Sequence, residues 1–467
     1  MNIVQLFIPE IILLAAIVIT TLLDAFKILK IRHITLLTVF FSIFALFVQR
    51  NNVIISDQTL FLNYPQFDLL FDQKIYFAKS VILLFSIVLF SIIYGYQYVD
   101  SQKLKTEYIL VILISTLAAL VAAMSKDLLS VIITLEVQML GSYILTSMQH
   151  KNIEARAAAI KYFILGTIVT CFMLFGISLI YGFAGSIEYE KIKIAGINYK
   201  SSGLALGIIL VLLGLMFKLG LAPLHFWIAD VYHGTNVLTI IFFTLISKFS
   251  SFIILYNFLE FARDVDPKLI TQIILIFAIS SIIVGAVGGL KQFNLKRLLA
   301  YSAIFNIGFA ILPIVIFDAA AGDIAMKYII IYAVTTSVLL LLILAMDHKN
   351  VKIMTLQSIE GMGFKHKYSA IGITITLVSL IGIPPSAGFF AKYSVISYII
   401  QFGYYKLAIF MIIGTVVSSF YYLQIIKSLY FVDEFNENAK FYIAPIHKLI
   451  SLVIITYISF YSINYLL

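Results

Sequence analysis

Long apolar stretches alternate with short polar linkers from one end of the chain to the other. Each stretch approaches the roughly 20 residues that a helix needs to cross the hydrocarbon core of a bilayer. Within a stretch the apolar residues are consecutive and do not alternate with polar ones, which argues against a membrane barrel. We therefore predict fourteen membrane-spanning helices, at residues 7–26, 34–48, 75–98, 108–124, 128–146, 157–183, 203–231, 237–261, 269–289, 298–317, 326–346, 370–400, 405–431 and 449–466.

Two of the predicted helices contain both a proline and a lysine. The seventh helix contains Lys218 and, five residues later, Pro223, while the twelfth contains Pro384, Pro385 and then Lys392. Proline removes a helical hydrogen bond and collides with the preceding turn. We therefore predict that helices 7 and 12 are discontinuous.

The two discontinuous helices occupy the same position in two runs of five helices, 4–8 and 9–13. Because five is odd, the two runs enter the membrane from opposite sides, which is the pattern of inverted repeats. The predicted fold is an all-α polytopic membrane protein built around two inverted five-helix repeats. Its predicted parts are residues 1–107 (helices 1–3), 108–261 (first repeat), 269–431 (second repeat) and 432–467 (helix 14).

Composition agrees with a membrane protein, because 62% of the residues are hydrophobic and only 12% are charged, against about 25% charged in soluble domains. The net charge of +9 does not indicate nucleic-acid binding here. Loops that follow odd-numbered helices carry nearly twice as many Lys and Arg as the others, which places both termini outside the cytoplasm. The single cysteine, Cys171, lies in an apolar run and provides neither a disulfide framework nor a ligand set for zinc or an iron–sulfur cluster.

Ionisable side chains inside the predicted helices are few. Burying one at the middle of a bilayer costs roughly 2.5–3.5 kcal/mol even on the lenient insertion scale, so such residues usually serve a function. Lys79 lies about one turn inside its helix, where a lysine can extend to the membrane surface. The acid and the lysines that lie inside helices are Glu136, Lys79, Lys218, Lys248 and Lys392.

Glu136 and Lys218 lie at similar depth and have opposite charge, so they can form a pair that titrates as a unit. The alternatives are a purely structural partner for Glu136 on another helix and extension of Lys218 to the membrane surface. His225, two residues after Pro223, either exchanges protons between Lys218 and Lys248 or is a hydrogen-bonded structural histidine.

Lys248 and Lys392 each have polar surroundings in the sequence. The serines next to Lys248 can hold water or serve helix packing. Lys392 follows the Pro384–Pro385 break by two helical turns, where carbonyl groups freed by the break can line a hydrated cavity. A lysine in such a place can bind and release a proton. The serines near Lys248 are Ser247, Ser250 and Ser251.

Three stretches around these residues carry recognisable patterns. They are GLMFKLGLAPLHFWIADVYHG followed by NVLTIIFFTLISK, LKRLLAYSAIFNIGF at 295–309, and SLIGIPPSAGFFAKYSVI at 379–396. Together they resemble the antiporter-like membrane subunits of respiratory complex I, which are related to subunits of multisubunit cation/proton antiporters. The resemblance extends from about helix 4 to helix 13.

The resemblance implies a role for each buried residue. Glu136 is then the acid of a glutamate–lysine pair with Lys218, Lys248 is the connecting lysine, and Lys392 is the terminal lysine of the proton path. Relatives often have histidine or another polar residue where this chain has Asn306, so the resemblance gives Asn306 no protonatable role. The Asn306 side chain can still orient water. Complex I has three antiporter-like subunits of different length, and the middle one has glutamate at the position of Lys392. The lysine and the chain length favour a resemblance to the shortest of the three.

The resemblance also implies where the redox chemistry takes place. Flavin (FMN) and iron–sulfur clusters belong to partner subunits, and we expect no cofactor, metal or NADH to bind this chain. Expected partners are the other complex I membrane subunits, above all neighbouring antiporter-like subunits, in the cytoplasmic membrane of a bacterium. Two alternatives remain: a subunit of a sodium or potassium/proton antiporter, and a stand-alone secondary transporter.

Overall fold

The computed structural model describes residues 7–56, 73–99, 104–148, 153–198, 201–346, 355–431 and 445–466. Almost all of these residues are helical, and the described part of the chain contains no β-strand apart from two isolated bridges. The helices of the first half are α1 (Ile8–Ala25), α2 (Ile31–Ser56), α3 (Gln73–Val99), α4 (Thr106–Met124), α5 (Leu128–Ser147), α6 (Ile153–Ala184), α7 (Tyr189–Asn198), α8 (Ser202–Leu219), α9 (Ile228–Gly234) and α10 (Val237–Phe242). The helices of the second half are α11 (Lys248–Val265), α12 (Pro267–Leu290), α13 (Leu295–Ile311), α14 (Ala319–Met346), α15 (Met362–Lys365), α16 (Lys367–Ile381), α17 (Ala387–Gln401), α18 (Tyr405–Tyr430) and α19 (Pro445–Leu466).

The predicted all-helical, polytopic fold is confirmed. Within the described ranges, 12 helical stretches are long and apolar enough to cross a membrane, and shorter apolar helices occupy Lys367–Ile381 and Pro445–Ser459. A helix or a pair of helices lies over each of the fourteen predicted segments. The second helix is longer than predicted, and the short helix α7 between α6 and α8 was not predicted, because its ten residues include three charged ones.

Helices 7 and 12 are discontinuous, as predicted, and each break starts at a glycine. The helix α8 ends at Leu219, where Gly220 takes φ 78°, and the chain becomes helical again at α9. Likewise α16 ends before Gly382, with φ 91°, and α17 follows. Positive φ is the left-handed region that closes a helix C-terminus and that glycine enters without steric cost. The glycines therefore end the first half-helices, and the prolines keep the chain from continuing them.

A second structural correspondence links the two predicted repeats. Asp127 precedes α5 and forms an antiparallel bridge with Glu188, in the linker between helices 6 and 7. Asn294 precedes α13 and forms the same kind of bridge with Thr355, in the linker between helices 11 and 12. Both residues also cap their helices, since Asp127 accepts a hydrogen bond from the Ser130 N–H and Asn294 from the Lys296 and Arg297 N–H groups.

The described chain forms two compact units. In the first, α1 packs on α2 and α4, α3 packs on α2 and α4, and the buried helix α11 packs on α4 and α7. In the second, α14 is central and contacts α13, α16, α17 and α19. The first unit comprises Met1–His150, Ala159–Leu215 and Phe242–Pro267, and the second Lys151–Ala158, Met216–Ile241 and Lys268–Leu467.

Several features used to predict the orientation lie outside the described residues. These are both chain ends and the loop residues Lys103, Lys151, Lys200, Lys349, Lys352 and Lys440. The predicted orientation and the four-part division of the chain therefore remain predictions.

Candidate functional site

Glu136 lies in the middle of α5 and is half-buried. Its Oε1 accepts a hydrogen bond of 2.5 Å from the Thr170 hydroxyl of α6. A hydroxyl donor stabilises the carboxylate without adding a charge. The hydrogen-bond partner that the structure shows for the Glu136 carboxylate is therefore a neutral hydroxyl group.

Lys248 is buried and begins α11 directly after a π-helical segment, Phe243–Ser247. π-Helical turns inside a helix are rare and occur often at functional sites, because they turn side chains away from their regular positions. The sequence pattern did not indicate this segment. Its residues are all large or hydroxyl-bearing and contain neither proline nor glycine.

Gln138 connects the helix of Glu136 with the helix of Lys248. Its Oε1 accepts a hydrogen bond of 3.0 Å from the Ser250 hydroxyl of α11, and both side chains are buried. Sequence reasoning missed Gln138, although an amide two residues from Glu136 in an apolar helix was a usable signal. Within the first unit, the structure thus brings the helices of two predicted site residues together through a polar contact.

The serines near Lys248 also bind their own helix. Ser250 and Ser251 both donate to the carbonyl oxygen of Ser247, at 3.0 and 2.7 Å. Such bonds satisfy hydroxyl groups inside an apolar helix. Of the three serines, Ser250 is the one that the structure shows bound to a side chain of another helix.

Lys218 is buried in the last turn of α8, beside the first break. Serines of α12 bind the backbone of this break. The Ser281 hydroxyl accepts from the Ala222 N–H at 2.9 Å, and the Ser280 hydroxyl donates to the Ala222 carbonyl at 2.7 Å. Unpaired backbone groups inside a membrane cost several kcal/mol each, so these contacts allow a non-helical backbone next to Lys218.

His225 lies in the same break and is half-buried. Its Nδ1 is 3.2 Å from the carbonyl oxygen of Pro223, and its ring lies 4.9 Å from the ring of Phe226. These contacts fit a histidine that fastens the local backbone. Its exchange of protons between Lys218 and Lys248, like the pairing of Glu136 with Lys218, stays a prediction.

Lys392 is buried in α17, and its ammonium group lies at the second break. Its Nζ donates to the carbonyl oxygens of Leu380 and Ile381, at 2.7 and 3.1 Å, and lies 5.5 Å from the centre of the Phe305 ring. The two carbonyls belong to the last turn of α16, whose carbonyl groups lack partners within their own helix. The expected contribution of break carbonyls to the surroundings of Lys392 is thus visible in the structure.

A small cavity of about 20 Å³ lies beside Lys392 within the second unit. A cavity measured by the space open to water centres needs about 10–15 Å³ to hold one water molecule, which also needs polar partners. This cavity therefore has room for about one water molecule, and polar side chains are among its lining. Its lining consists of Asn306, Tyr328, Ile331, Tyr332, Thr335, Ser379, Leu380, Gly388, Ala391 and Lys392.

Lys79 departs from the sequence-based interpretation. It does not extend to the membrane surface, because its side chain is buried and its Nζ lies 2.6 Å from Oε1 of Glu10 on α1. The short distance to the helix end favoured extension, but Lys79 is buried and Glu10 of α1 supplies the opposite charge. Lys79 therefore belongs to an ion pair within the first unit.

The described residues contain no group of three or more His, Cys, Asp or Glu side chains that could hold a metal ion. What the site offers is a set of buried amines and one half-buried carboxylate. A hydroxyl group holds the carboxylate, and two carbonyl groups hold the Lys392 amine. Such groups bind, hold and release protons.

Comparisons with known proteins agree on the family. The sequence profile of the family described as NADH:quinone oxidoreductase/Mrp antiporter, TM, matches residues 125–418. A protein of Rickettsia bellii named NADH-quinone oxidoreductase subunit N is 37% identical over 414 residues, which cover 87% of this chain and 88% of that protein.

Two solved structures share the fold. A chain of respiratory complex I from Thermus thermophilus aligns with a TM-score of 0.78 and 23% identity, over 97% of each chain. A chain of an archaeal membrane-bound sulfane sulfur reductase aligns with a TM-score of 0.87 and 19% identity, over 99% of this chain and 95% of that one. At such identities the structural likeness establishes the fold alone, while the profile and the relative establish the family.

Proposed function

This chain belongs to the NADH:quinone oxidoreductase/Mrp antiporter family of membrane proteins, and on that premise we propose that it is the proton-translocating subunit N of an NADH–quinone oxidoreductase. Its many apolar helices make it a multi-pass membrane protein. Electrons pass from NADH to quinone in other subunits of the complex, which carry FMN and iron–sulfur clusters. This chain contributes proton movement and takes part in no redox step.

The proposed proton path uses Glu136, Lys218, Lys248 and Lys392, with His225 as a possible further carrier. The observation that carries this proposal is the position of Lys392. Its amine is buried in a membrane protein next to a polar cavity, and the hydrogen bonds that the structure gives it go to neutral carbonyl groups. A lysine without a fixed counter-charge can alternate between its charged and neutral forms when the field around it changes.

The trigger in this mechanism is electrostatic. A charge that arrives from a neighbouring subunit separates Glu136 from Lys218, and the proton released moves through Lys248 toward Lys392. The Gln138–Ser250 hydrogen bond links the helix of Glu136 to that of Lys248, which supports a polar connection between these two parts of the proposed path.

We also propose that the chain is organised as two inverted repeats, residues 108–261 and 269–431, between three N-terminal helices and one C-terminal helix. Two correspondences support this division. Both breaks start at a glycine with positive φ in the fourth helix of a repeat, and both second helices start at a capping residue that bridges to the linker before that fourth helix.

The proposed location is the inner membrane of a bacterium, with both termini on the non-cytoplasmic side. The excess of basic residues in loops after odd-numbered helices supports this orientation. The proposed partners are the other membrane subunits of the complex, in particular the neighbouring antiporter-like subunits.

The direct test replaces Lys218 with Met or Glu136 with Gln in the assembled complex. Proton pumping into vesicles should fall strongly while the complex still assembles and its peripheral part still oxidises NADH. Lys406→Met is the matched control, because Lys406 is an exposed lysine of α18. Unchanged pumping by assembled Lys218→Met and Glu136→Gln complexes would refute the proposed path.

The family description also names Mrp antiporters, so a subunit of a multisubunit sodium or potassium/proton antiporter is the second candidate. Purification of the chain with its natural partners separates the two. Flavoprotein and iron–sulfur subunits in the purified complex support the oxidoreductase, whereas sodium-dependent proton exchange without them supports the antiporter. Transport by the purified chain alone would favour a stand-alone transporter.

A further inference from the structure

A cluster of hydrogen-bonded side chains adjoins the Lys392 cavity and has no role in the proton path described so far. Its members come from three helices of the second unit and are all buried. Asn306 and Tyr328 also line the cavity, whereas Tyr422 and Ser302 lie behind Asn306. The cluster therefore connects the cavity wall with the interior of the second unit.

The hydrogen bonds of Asn306 fix the orientation of its amide. The Nδ2 group donates to the carbonyl oxygen of Ser302 at 2.8 Å and lies 3.3 Å from the Tyr422 hydroxyl. If the amide were turned over, its oxygen would face the Ser302 carbonyl, and two acceptors would stand against each other. Nδ2 therefore faces Ser302, and Oδ1 faces the opposite way.

This orientation determines what Tyr328 can do. The Tyr328 hydroxyl donates to Asn306 Oδ1 at 2.8 Å. A tyrosine has a single O–H donor, so that proton is committed to Asn306. The Tyr328 oxygen then offers lone pairs, and no donor, to other groups.

Lys392 itself lines the cavity, and its Nζ donates to the carbonyl oxygens of Leu380 and Ile381. The Tyr328 lone pairs favour an occupant that donates to them, and a positive occupant over a negative one. An asparagine amide does not pass a proton on under ordinary conditions, so Asn306 ends the path at this point and acts only through Tyr328. The arrangement is suited to receiving a proton and not to conducting it further through Asn306.

We propose that Asn306 and Tyr328 are positioning residues that make the Lys392 cavity a receiving site for the proton that leaves Lys392. The charged Lys392 gives a proton to a water molecule in the cavity and becomes a neutral amine. The water becomes a hydronium ion and donates to the Tyr328 oxygen. No other bond forms or breaks, and the total charge is unchanged.

This inference rests on the proposed function, because it assumes that Lys392 carries protons. The titratable side chains that line the cavity with Lys392 are Tyr328 and Tyr332 of α14, and the described lining residues of α13 and α16 are not titratable. Asp318 is hydrogen-bonded to Tyr398, nearly two turns beyond Lys392 on α17. The Tyr328 ring stacks on the Phe309 ring, with 5.2 Å between the ring centres. Replacement of Tyr328 by phenylalanine therefore keeps this packing and removes only the hydroxyl.

The test uses Tyr328→Phe, Asn306→Leu and the double variant in the assembled complex, reconstituted into vesicles. Each single variant should reduce the rate of proton pumping about tenfold, and should move the alkaline limb of the pumping profile about one pH unit lower, as expected for loss of one hydrogen bond to a cation. The double variant should be no worse than either single one, because Asn306 acts through the Tyr328 hydroxyl. Tyr189→Phe is the control, since Tyr189 is a buried tyrosine of the first unit.

Two outcomes overturn the inference. One is wild-type pumping by Tyr328→Phe with an unchanged alkaline limb of the pumping profile. Because this variant keeps the aromatic ring, it is sufficient for the test if Asn306→Leu does not assemble. The other is an additive double variant, which would show that Asn306 acts independently of Tyr328. Lys392→Met separates the two proposals: wild-type pumping by Lys392→Met refutes the proposed path, whereas loss of pumping there with normal Tyr328→Phe refutes only the receiving site.

Discussion

Lys79 in the first unit and Lys392 in the second are both buried but differ in their partners. Lys79 is held by the carboxylate of Glu10 at 2.6 Å, whereas Lys392 is held by two backbone carbonyls and adjoins a polar cavity. A carboxylate partner compensates the charge of a buried lysine, whereas backbone dipoles compensate it only partly. Burial alone therefore does not distinguish a structural lysine from a proton carrier, and the partners and the surroundings of the amine have to be known as well.

The comparison predicts opposite consequences for stability and transport. Removal of a partner from the first pair should affect folding, because a buried charge is left uncompensated. Removal of Lys392 should affect proton movement and leave stability nearly unchanged. Within the described residues, no charged side chain forms an ion pair with Lys392, so its removal leaves no buried charge uncompensated. The following predictions go from the largest expected effect to the smallest.

The largest effect is expected for Glu10→Ala. The free energy of unfolding should fall by about 3–5 kcal/mol, because Lys79 would remain buried without its counter-charge. Thermal unfolding of the chain in the purified complex measures this change. The double variant Glu10→Leu with Lys79→Met should recover most of the loss, and pumping per assembled complex should stay normal. Equal stability of Glu10→Ala and the wild type would show that the pair does not fasten α1.

The second prediction concerns Lys392→Met. Proton pumping should fall roughly 100-fold, which is within the range that proton-transfer groups contribute. The unfolding temperature should change much less than in Glu10→Ala, since methionine fills a similar volume and leaves no buried charge. Lys327→Met, at an exposed position of α14, is the control for loss of a lysine. A large loss of stability without loss of pumping would invert the comparison.

A third prediction disturbs the surroundings of Lys392 without changing a charge. In Gly388→Ala the added Cβ would collide with the carbonyl oxygen of Ser379, so α17 must shift against α16. Overpacking of this kind costs about 1–3 kcal/mol, and pumping should fall together with stability. Gly182→Ala in α6, where a Cβ meets open space, should leave both unchanged or stabilise the helix slightly. Normal pumping by Gly388→Ala would mean that the position of Lys392 tolerates such a shift.

The smallest effects are expected at the two helix caps. Asp127→Ala and Asn294→Ala should each lower the free energy of unfolding by about 1 kcal/mol, because each removes a side-chain acceptor from a helix N-terminus. Similar losses are expected if the two repeats use these residues in the same way. A loss at one position only, measured by thermal unfolding of both variants, would argue against equivalent roles.

Much of the fold was predictable because its causes are local in sequence. Runs of apolar residues predict membrane helices, and the prolines predicted the breaks of helices 7 and 12. The partners of the buried side chains were not predictable in the same way. Lys79 is the clearest case. Its position near a helix end predicted extension to the membrane surface, whereas in the structure it pairs with Glu10 of α1.

The sequence by itself determined that this is a helical membrane protein with ionisable groups inside the membrane, because the cost of burying apolar, polar and charged residues depends on residue type. The tertiary structure alone decided which of those groups is neutralised by an opposite charge and which adjoins a polar cavity. That outcome depends on which helices come together, as when α14 brings Tyr328 to Asn306 of α13. Such contacts join residues that are distant in sequence, and local patterns carry no information about them.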